Sequence, residues 1–178
     1  SRAGEQRQAP WIDLSAVTGI CDVHQRLSSN MRKELRRKRK KLDSVGTVDF
    51  CIAHAGPQAA AVTERTVSFK KAWLQQRGTI SRAFADPRCT TVLNRLSADE
   101  RRGQDFIVSE LSVNGEAAAS EVGFRSGSRY YAYIGAYNPD MAVHGPGLIQ
   151  MEHTVAWCIS EGIEAYDLFA PADDYKLR

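Results

Sequence analysis

A short glycine loop, His144-Gly145-Pro146-Gly147, follows a β-rich segment and directly precedes an apolar helical pattern. Glycine lets the backbone approach a bound group closely, and the first N–H groups of a helix carry partial positive charge. The two features together favour a phosphate group. We therefore expect the loop to hold the phosphates of a cofactor. The alternative is an ordinary helix start, for which a Gly-Pro pair is also typical.

A second candidate for chemistry is the carboxylate of Glu121, which alternates with the small residues Ala119 and Gly123 in a strand pattern. Alternation places the three side chains on one face of the strand. A carboxylate in an apolar groove can take a proton from an amine. The alternative is a carboxylate that faces solvent at a sheet edge. Asp167, in the last strand pattern of the chain, is a candidate of the same kind.

Positive charge is concentrated in one run, from Arg32 to Lys41, in which Glu34 is the single acidic residue. The net charge of the chain is only +3, so the remainder is close to neutral or slightly acidic. Three interpretations stay open for the run. It is the solvated face of a helix, an electrostatic site for tRNA or another anionic polymer, or a contact with a further domain.

The bulk composition excludes several classes of protein. The chain has 178 residues, of which 43% are hydrophobic and 25% charged, as in a globular domain. No apolar run approaches the ~18 residues of a transmembrane helix. The polar start predicts a linker over residues 1–14 and no signal peptide. Cys21, Cys51, Cys89 and Cys158 form no CxxC pair, so we expect no metal site and a reducing, cytoplasmic setting.

Periodicity predicts the elements that position these residues. Residues 15–45 are predicted to form a basic helical arm with a break near Ser28-Ser29-Asn30, residue types that favour helix N-caps. The second helix of this arm has a narrow stripe formed by Met31, Leu35, Lys38 and Leu42. A strand over residues 47–54 and helices over 58–77 and 87–97 follow, with Val92 predicted to point inward.

The second half of the chain predicts a β-meander. Strands are expected over residues 106–113, 116–125 and 129–137, and Asn114-Gly115 favours a type I′ turn between the first two. A helix over 146–161 and a strand over 163–169 follow. The residues predicted to form the buried face of that helix are Leu148, Met151, Val155 and Ile159. This order predicts an α+β fold in which the last strand runs parallel to the third meander strand.

The same order resembles the GCN5-related N-acyltransferase (GNAT) fold. The residues that carry the resemblance are GEAAASEVGFRSGSRYYAYIGAYNPD, then GPGL at a helix start, then YDLF and DDYK. They are similar to the FemAB-like and CelD/BioF2-like acetyltransferase branch over most of residues 27–176. The resemblance assigns residues 46–178 to an acyltransferase domain. It also implies that the chain is the C-terminal half of a longer protein and ends before the family fold is complete.

The resemblance implies roles for particular residues. Backbone amides of Ile134, Gly135, Ala136 and Tyr137 would bind the pantetheine arm of acetyl-CoA or another acyl-CoA. His144, Gly145 and Gly147 would contact its pyrophosphate, although the typical family loop is more compact and carries a basic residue or Gln. Tyr175 would protonate the leaving thiolate, and Lys176 would contact a phosphate or the thioester oxygen. The alternative for Tyr175 and Lys176 is a polar surface tail.

Three functions follow as expectations from this resemblance. The first is transfer of an acyl group from acyl-CoA to a small-molecule amine, in cell-envelope polysaccharide metabolism, with Glu121 or Asp167 as the base. The second is a transferase that uses aminoacyl-tRNA, bound through residues 32–41. The third is a non-catalytic half-domain that serves only as a scaffold for a partner or for a polysaccharide-synthesis complex. A second GNAT-like half-domain is a further expected partner.

Overall fold

A six-stranded sheet lies at the centre of the computed structural model, which describes residues 10–103 and 105–169. Its strands are β1 Trp11–Asp13, β2 Val48–His54, β3 Phe106–Val113, β4 Glu116–Ser126, β5 Arg129–Tyr137 and β6 Ala165–Asp167. They lie in the order β1-β6-β5-β4-β3-β2. Strands β5 and β6 are parallel, and the other neighbours are antiparallel. The predicted mixed sheet and its parallel crossover are confirmed.

Helices cover both faces of the sheet. They are α1 Ile20–Arg26, α2 Ser29–Asp43, α3 Pro57–Gln76, α4 Arg82–Ala85, α5 Pro87–Ala98 and α6 Pro146–Ser160. Helices α3 and α5 bury Val62 and Leu93 against Val108 and Val122 on one face. Helices α1, α2 and α6 cover the opposite face. These two sides are called the α3 face and the α6 face. None of the helices in the described part of the chain has both the length and the apolar content that a bilayer crossing requires.

The basic helix α2 packs on the same core as the meander. The Ser28 hydroxyl accepts a hydrogen bond from the Met31 N–H, so the predicted cap is confirmed. Leu35 and Leu42 are buried in one cluster with Leu111 of β3. The boundary predicted between the arm and the domain, at residues 45 and 46, therefore does not coincide with a break in the core.

The turn between β3 and β4 has the predicted conformation. Asn114 has φ 52° and Gly115 has φ 81°, the positive values of a type I′ turn. The Asn114 side chain also accepts a hydrogen bond from the Thr47 N–H at 2.9 Å and donates one to the Val45 carbonyl at 3.3 Å. The turn therefore holds the loop between α2 and β2.

A β-bulge interrupts the alternation of β5. Val122 pairs with Ile134 and Gly123 pairs with Ala132, so Tyr133 is an extra residue in β5. Ala132 belongs to the core cluster on the α6 face, whereas Ile134 belongs to the cluster on the α3 face. Residues on the two sides of Tyr133 therefore follow opposite alternation.

Two predicted faces are only partly correct. In α6, Val155 is buried as predicted, whereas Leu148, Met151 and Ile159 are half-buried against the core clusters. Gln150, Thr154 and Cys158, which were not predicted, are buried. The reason is polar packing, because the Gln150 amide and the Thr154 hydroxyl donate hydrogen bonds to the Ser109 hydroxyl of β3 at 2.7 and 2.9 Å. Polar residues are buried readily when their hydrogen bonds are satisfied.

In α5, the residues predicted to point inward were Cys89, Val92, Leu93 and Leu96. Leu93 is buried as predicted, whereas Val92 is 53% exposed and Ser97 is buried.

Both ends of the described chain also differ from the prediction. Trp11–Asp13, within the predicted linker 1–14, pairs with β6 as an edge strand. The last strand is shorter than predicted, because Phe169 has φ 56° and its N–H donates to the Asp167 side chain. This turn takes the chain out of the sheet after Asp167.

Candidate active site

Strands β5 and β6 pair only over a short stretch. Residues Arg129–Tyr131 pair with Ala165–Asp167, and β6 ends there, so within the described residues β5 has no strand partner on this side from Ala132 to Tyr137. This unpaired edge of β5 is called the β5–β6 splay. Backbone N–H and C=O groups on it that do not face β4 have no strand partner among the described residues, which makes them candidates to bind a ligand.

The four residues predicted to contact the donor lie on this free edge. Ile134 and Ala136 are 5% and 9% exposed, so only their backbone can line the splay. Gly135 is exposed, and Tyr137 is half-buried. A Cβ atom added at Gly147 would lie 3.6 Å from Cδ1 of Tyr137. The structure therefore brings the end of β5 together with the start of α6.

The glycine loop makes the turn into α6. His144 ends a 3-10 helix that spans Pro139–His144, and Gly145 has φ 65° and ψ 48°, the left-handed conformation that glycine adopts at low cost. Pro146 then begins the helix. The first N–H groups of α6 thus lie directly after this turn, beside Tyr137.

A lysine from another element lies at this helix start. The side chain of Lys38, in α2, packs so closely on Gly145 that a Cβ atom there would clash with its Cδ, Cε and Nζ atoms. The Lys38 side chain is 19% exposed, and its Nζ lies 3.7 Å from the Glu34 carboxylate. The sequence placed Lys38 in the apolar stripe of α2, which was the signal that it turns inward. Its proximity to the glycine loop was not predicted.

These groups fit a phosphate-bearing ligand. The His144 Nδ1 atom is buried and has no hydrogen-bond partner among the described residues. Beside it lie a helix N-terminus and the Lys38 ammonium. In the tautomer that carries its proton on Nδ1, this ring nitrogen is a donor, and together with a helix dipole and a cation it favours an anion. Within the described part of the chain, no group of His, Cys, Asp and Glu side chains could hold a metal ion.

Glu121 lies behind the splay on the α6 face. It is 5% exposed, and its carboxylate accepts hydrogen bonds from the Tyr130 hydroxyl at 3.0 Å and the Tyr166 hydroxyl at 2.8 Å. Burial, followed by the charge of Glu121, raises the pKa of both phenols well above the usual value, so they stay protonated donors. The burial expected for Glu121 is present, but its partners are two large side chains, Tyr130 and Tyr166, that were not predicted.

Gly135 is the residue opposite Glu121 in the β4–β5 register. Among the described residues, a Cβ atom added at Gly135 would have one atom within 4 Å, Oε2 of Glu121, at 3.8 Å. Within this part of the chain, no other atom lies that close on the Gly135 side. The arrangement therefore places an oxygen of the buried carboxylate next to the unpaired edge of β5.

The structure does not bring Asp167 to Glu121. The Asp167 carboxylate accepts a hydrogen bond from Arg129 at 3.1 Å and is a neighbour of Tyr166 in β6. Since successive side chains in a strand point to opposite faces, Asp167 lies on the face opposite the Tyr166 hydroxyl. Tyr175 and Lys176 lie outside the described residues.

The basic run is divided between structural and exposed residues. Arg32 donates to the Leu27 carbonyl at the end of α1, and Arg39 binds the Glu152 carboxylate of α6 at 2.6 Å. Other residues of the run are exposed on α2 and take no part in these contacts with Leu27 and Glu152. They are Lys33, Arg36, Arg37, Lys40 and Lys41. Their spacing places them along one side of α2, opposite Leu35 and Leu42.

Comparison with known families agrees with this geometry. Residues 29–177 match the family model described as an acetyltransferase (GNAT) domain. No curated protein matches the chain significantly.

Among solved structures, FemX superposes with a TM-score of 0.67 at 8% identity, covering 96% of this chain and 56% of that chain. The C-terminal domain of a putative lysylphosphatidylglycerol synthetase from Agrobacterium fabrum has a TM-score of 0.58 at 15% identity, covering 94% of this chain and 48% of that one. A conserved protein of unknown function from Bacteroides thetaiotaomicron gives 0.62 at 10% identity, covering 93% and 51%. The chain thus spans about half the length of these structures, and at such identities the likeness establishes the fold alone.

Proposed function

This chain belongs to the GNAT acetyltransferase family, and on that premise we propose that it transfers an acyl group, such as acetyl, from acyl-CoA to an amine. The observation that carries the proposal is the β5–β6 splay, which has Glu121 behind it and the start of α6 at its end. A thioester, an amine and a base would meet at this edge. The amine is a small molecule whose identity, including any link to cell-envelope polysaccharides, stays part of the proposal.

The donor would be held by two parts of the site. Backbone groups of β5 from Ile134 to Tyr137 would bind the pantetheine arm and donate to the thioester oxygen. The α6 N-terminus, the His144 ring and Lys38 would bind the phosphates. Acyl-CoA supplies the activated carbonyl carbon in this arrangement, and an amide donor to a developing oxyanion lowers the barrier by roughly 3 kcal/mol.

Glu121 would act as the general base. Its Oε2 atom lies on the Gly135 side, from which an amine, or a water molecule bound to it, would approach. As the amine nitrogen bonds to the carbonyl carbon, its proton would pass to this carboxylate, the C–S bond would break, and CoA would leave as the thiolate. A positioned base contributes about 10²- to 10⁴-fold to the rate. Tyr175 and Lys176 stay predictions for the protonation of the thiolate and for a phosphate or oxyanion contact.

Calorimetry with acetyl-CoA tests the donor site. We expect micromolar binding that Gly147→Trp abolishes, because the indole would fill the space between α6 and Tyr137. The matched control is Ser160→Trp, which adds the same side chain at the exposed far end of α6, ~20 Å away. Equal binding by both variants would place the donor elsewhere and contradict the proposal.

A second candidate donor is aminoacyl-tRNA. The exposed cations on α2 favour it, because Lys and Arg side chains bind phosphates and release counterions. Binding of tRNA that weakens steeply with salt, without any response to acetyl-CoA, would select this donor. A chain that binds neither donor would be a scaffold for a partner or an inactive fragment.

A further inference from the structure

The Glu121 carboxylate is surrounded by titratable groups from three elements of the described chain. Tyr130 extends from β5, Tyr166 from β6 and Cys158 from α6. Tyr130 and Tyr166 are both 0% exposed, and their rings stack with centroids 5.4 Å apart. Each hydroxyl donates to a different oxygen of the carboxylate, Tyr130 to Oε1 and Tyr166 to Oε2. The carboxylate is therefore fixed in orientation from both sides.

The backbone around Tyr130 is shaped to this arrangement. A Cβ atom at Gly123 would clash with the Tyr130 hydroxyl, so the glycine leaves the space that this group occupies. Tyr166 reaches Glu121 of β4 from β6, although β5 lies between these strands in the sheet. A hydrogen bond therefore connects the two strands on either side of β5, next to the splay.

We propose that Tyr130 and Tyr166 are positioning residues that hold the Glu121 carboxylate ionised, with Oε2 on the Gly135 side. This inference rests on the proposed function, in which Glu121 is the base. Two phenol donors stabilise the charged form of a carboxylate in apolar surroundings, where water is excluded. They also restrict it to the direction from which the amine would arrive.

These three neighbouring groups carry no negative charge of their own. Burial raises the pKa of the Cys158 thiol as well as those of the two phenols, so all three stay protonated near neutral pH. Without a phenol donor, the carboxylate would take up a proton more readily. It would then be available as a base only at a higher pH.

The test compares Tyr130→Phe and Tyr166→Phe with the original chain. Acetyl transfer from acetyl-CoA to a panel of small primary amines is followed as a function of pH. We expect each variant to lower kcat about tenfold, the effect of one lost hydrogen bond to a charged group. The acidic limb of the profile should move to higher pH, and the KM for acetyl-CoA should stay unchanged.

Tyr131→Phe is the matched control, because it removes a hydroxyl from the same strand on the face opposite the Tyr130 side chain. It should behave as the original chain. The proposal would be overturned if Tyr130→Phe and Tyr166→Phe keep the original kcat and the original position of the acidic limb of the pH profile. A Glu121→Gln variant that keeps the full rate would overturn the role of Glu121 itself.

A second measurement separates this inference from the proposed function. The ¹³C NMR signal of the Glu121 carboxyl carbon is titrated in the full chain, without donor or acceptor. The titration should occur at higher pH in Tyr130→Phe and in Tyr166→Phe. In Tyr131→Phe it should occur at the same pH as in the original chain. An unchanged titration would overturn the positioning role even if acyl transfer is observed. A shifted titration in a chain that transfers no acyl group would support the positioning while the proposed function fails.

Discussion

At the scale of single residues, Lys38 explains how this chain can differ from the family's typical glycine loop. The loop itself carries His144 but no lysine or arginine. Lys38 comes from α2, distant in sequence, and packs on Gly145 at the start of α6. A charge that other members carry within the loop would thus be supplied by a helix that packs against it.

Replacing Lys38 by methionine should therefore weaken acetyl-CoA binding. The variant keeps the apolar length of the side chain and removes the cation that would face the phosphates. We expect Kd to rise about tenfold, and its dependence on salt to decrease. Isothermal titration calorimetry at two salt concentrations measures both effects. Lys33→Met, on the exposed side of α2, is the control, and equal losses in the two variants would argue for a diffuse charge effect instead.

At the scale of elements, the Asn114 turn joins two parts of the chain that are far apart in sequence. Its side chain binds the backbone at Val45 and Thr47, between α2 and β2. A Cβ atom at Gly46 would clash with the Asn114 amide, so this loop has a glycine where the turn approaches it. The hairpin thereby fixes the end of the basic helix.

Asn114→Gly isolates this contribution, because glycine keeps the positive φ and removes both side-chain hydrogen bonds. We expect the free energy of unfolding to fall by about 1–2 kcal/mol in urea titrations. Asn114→Ala should lose about 1 kcal/mol more, since alanine is strained at positive φ. Gly127→Asn, in the other hairpin turn at φ 59° with open space around it, is the control and should change little. A stable Asn114→Gly variant would show that the turn does not hold the loop.

Local signals in the sequence predicted these elements well, and tertiary contacts explain where prediction failed. The Asn114-Gly115 turn and the Ser28 cap depend on neighbouring residues, so their types were sufficient. The buried face of α6 depends on Ser109 of β3, which no periodicity within α6 can reveal. The partners of Glu121 were missed for the same reason. Tyr166 lies 45 residues further along the chain and reaches Glu121 only through the crossover of the fold.

At the scale of the whole molecule, the edge strand β1 completes the sheet beside the candidate site. Trp11–Asp13 pairs with β6, the strand that borders the splay. Leu14 is 3% exposed, and its N–H donates to the Glu164 carbonyl at 2.8 Å. The Trp11 ring lies 5.1 Å from the Arg129 guanidinium. A segment predicted as linker is thus part of the folded core.

A chain shortened to begin at Ser15 should be less stable by about 2–4 kcal/mol, because it loses the Leu14 side chain and the pairing of β1. It should also bind acetyl-CoA more weakly, since β6 would lose its support on one side. Urea titration and calorimetry measure the two effects. Trp11→Ser removes a half-exposed ring and keeps the strand pairing, so its free energy of unfolding should fall far less. Unchanged stability in the shortened chain would mean that β1 contributes nothing to the sheet.

The extra residue in β5 has a consequence for how this chain is compared with its relatives. An alignment to a relative without the bulge needs a gap of one residue at Tyr133. Without that gap, each of residues 134–137 would be aligned with the neighbour of its true counterpart in the relative. Residues on one face of the sheet would then be aligned with residues on the other face. At the 8% to 15% identity of the similar structures, such an alignment error could not be detected from the sequences. Superposition of β5 on the strand of a relative is therefore the sound basis for deciding which of its residues corresponds to Gly135.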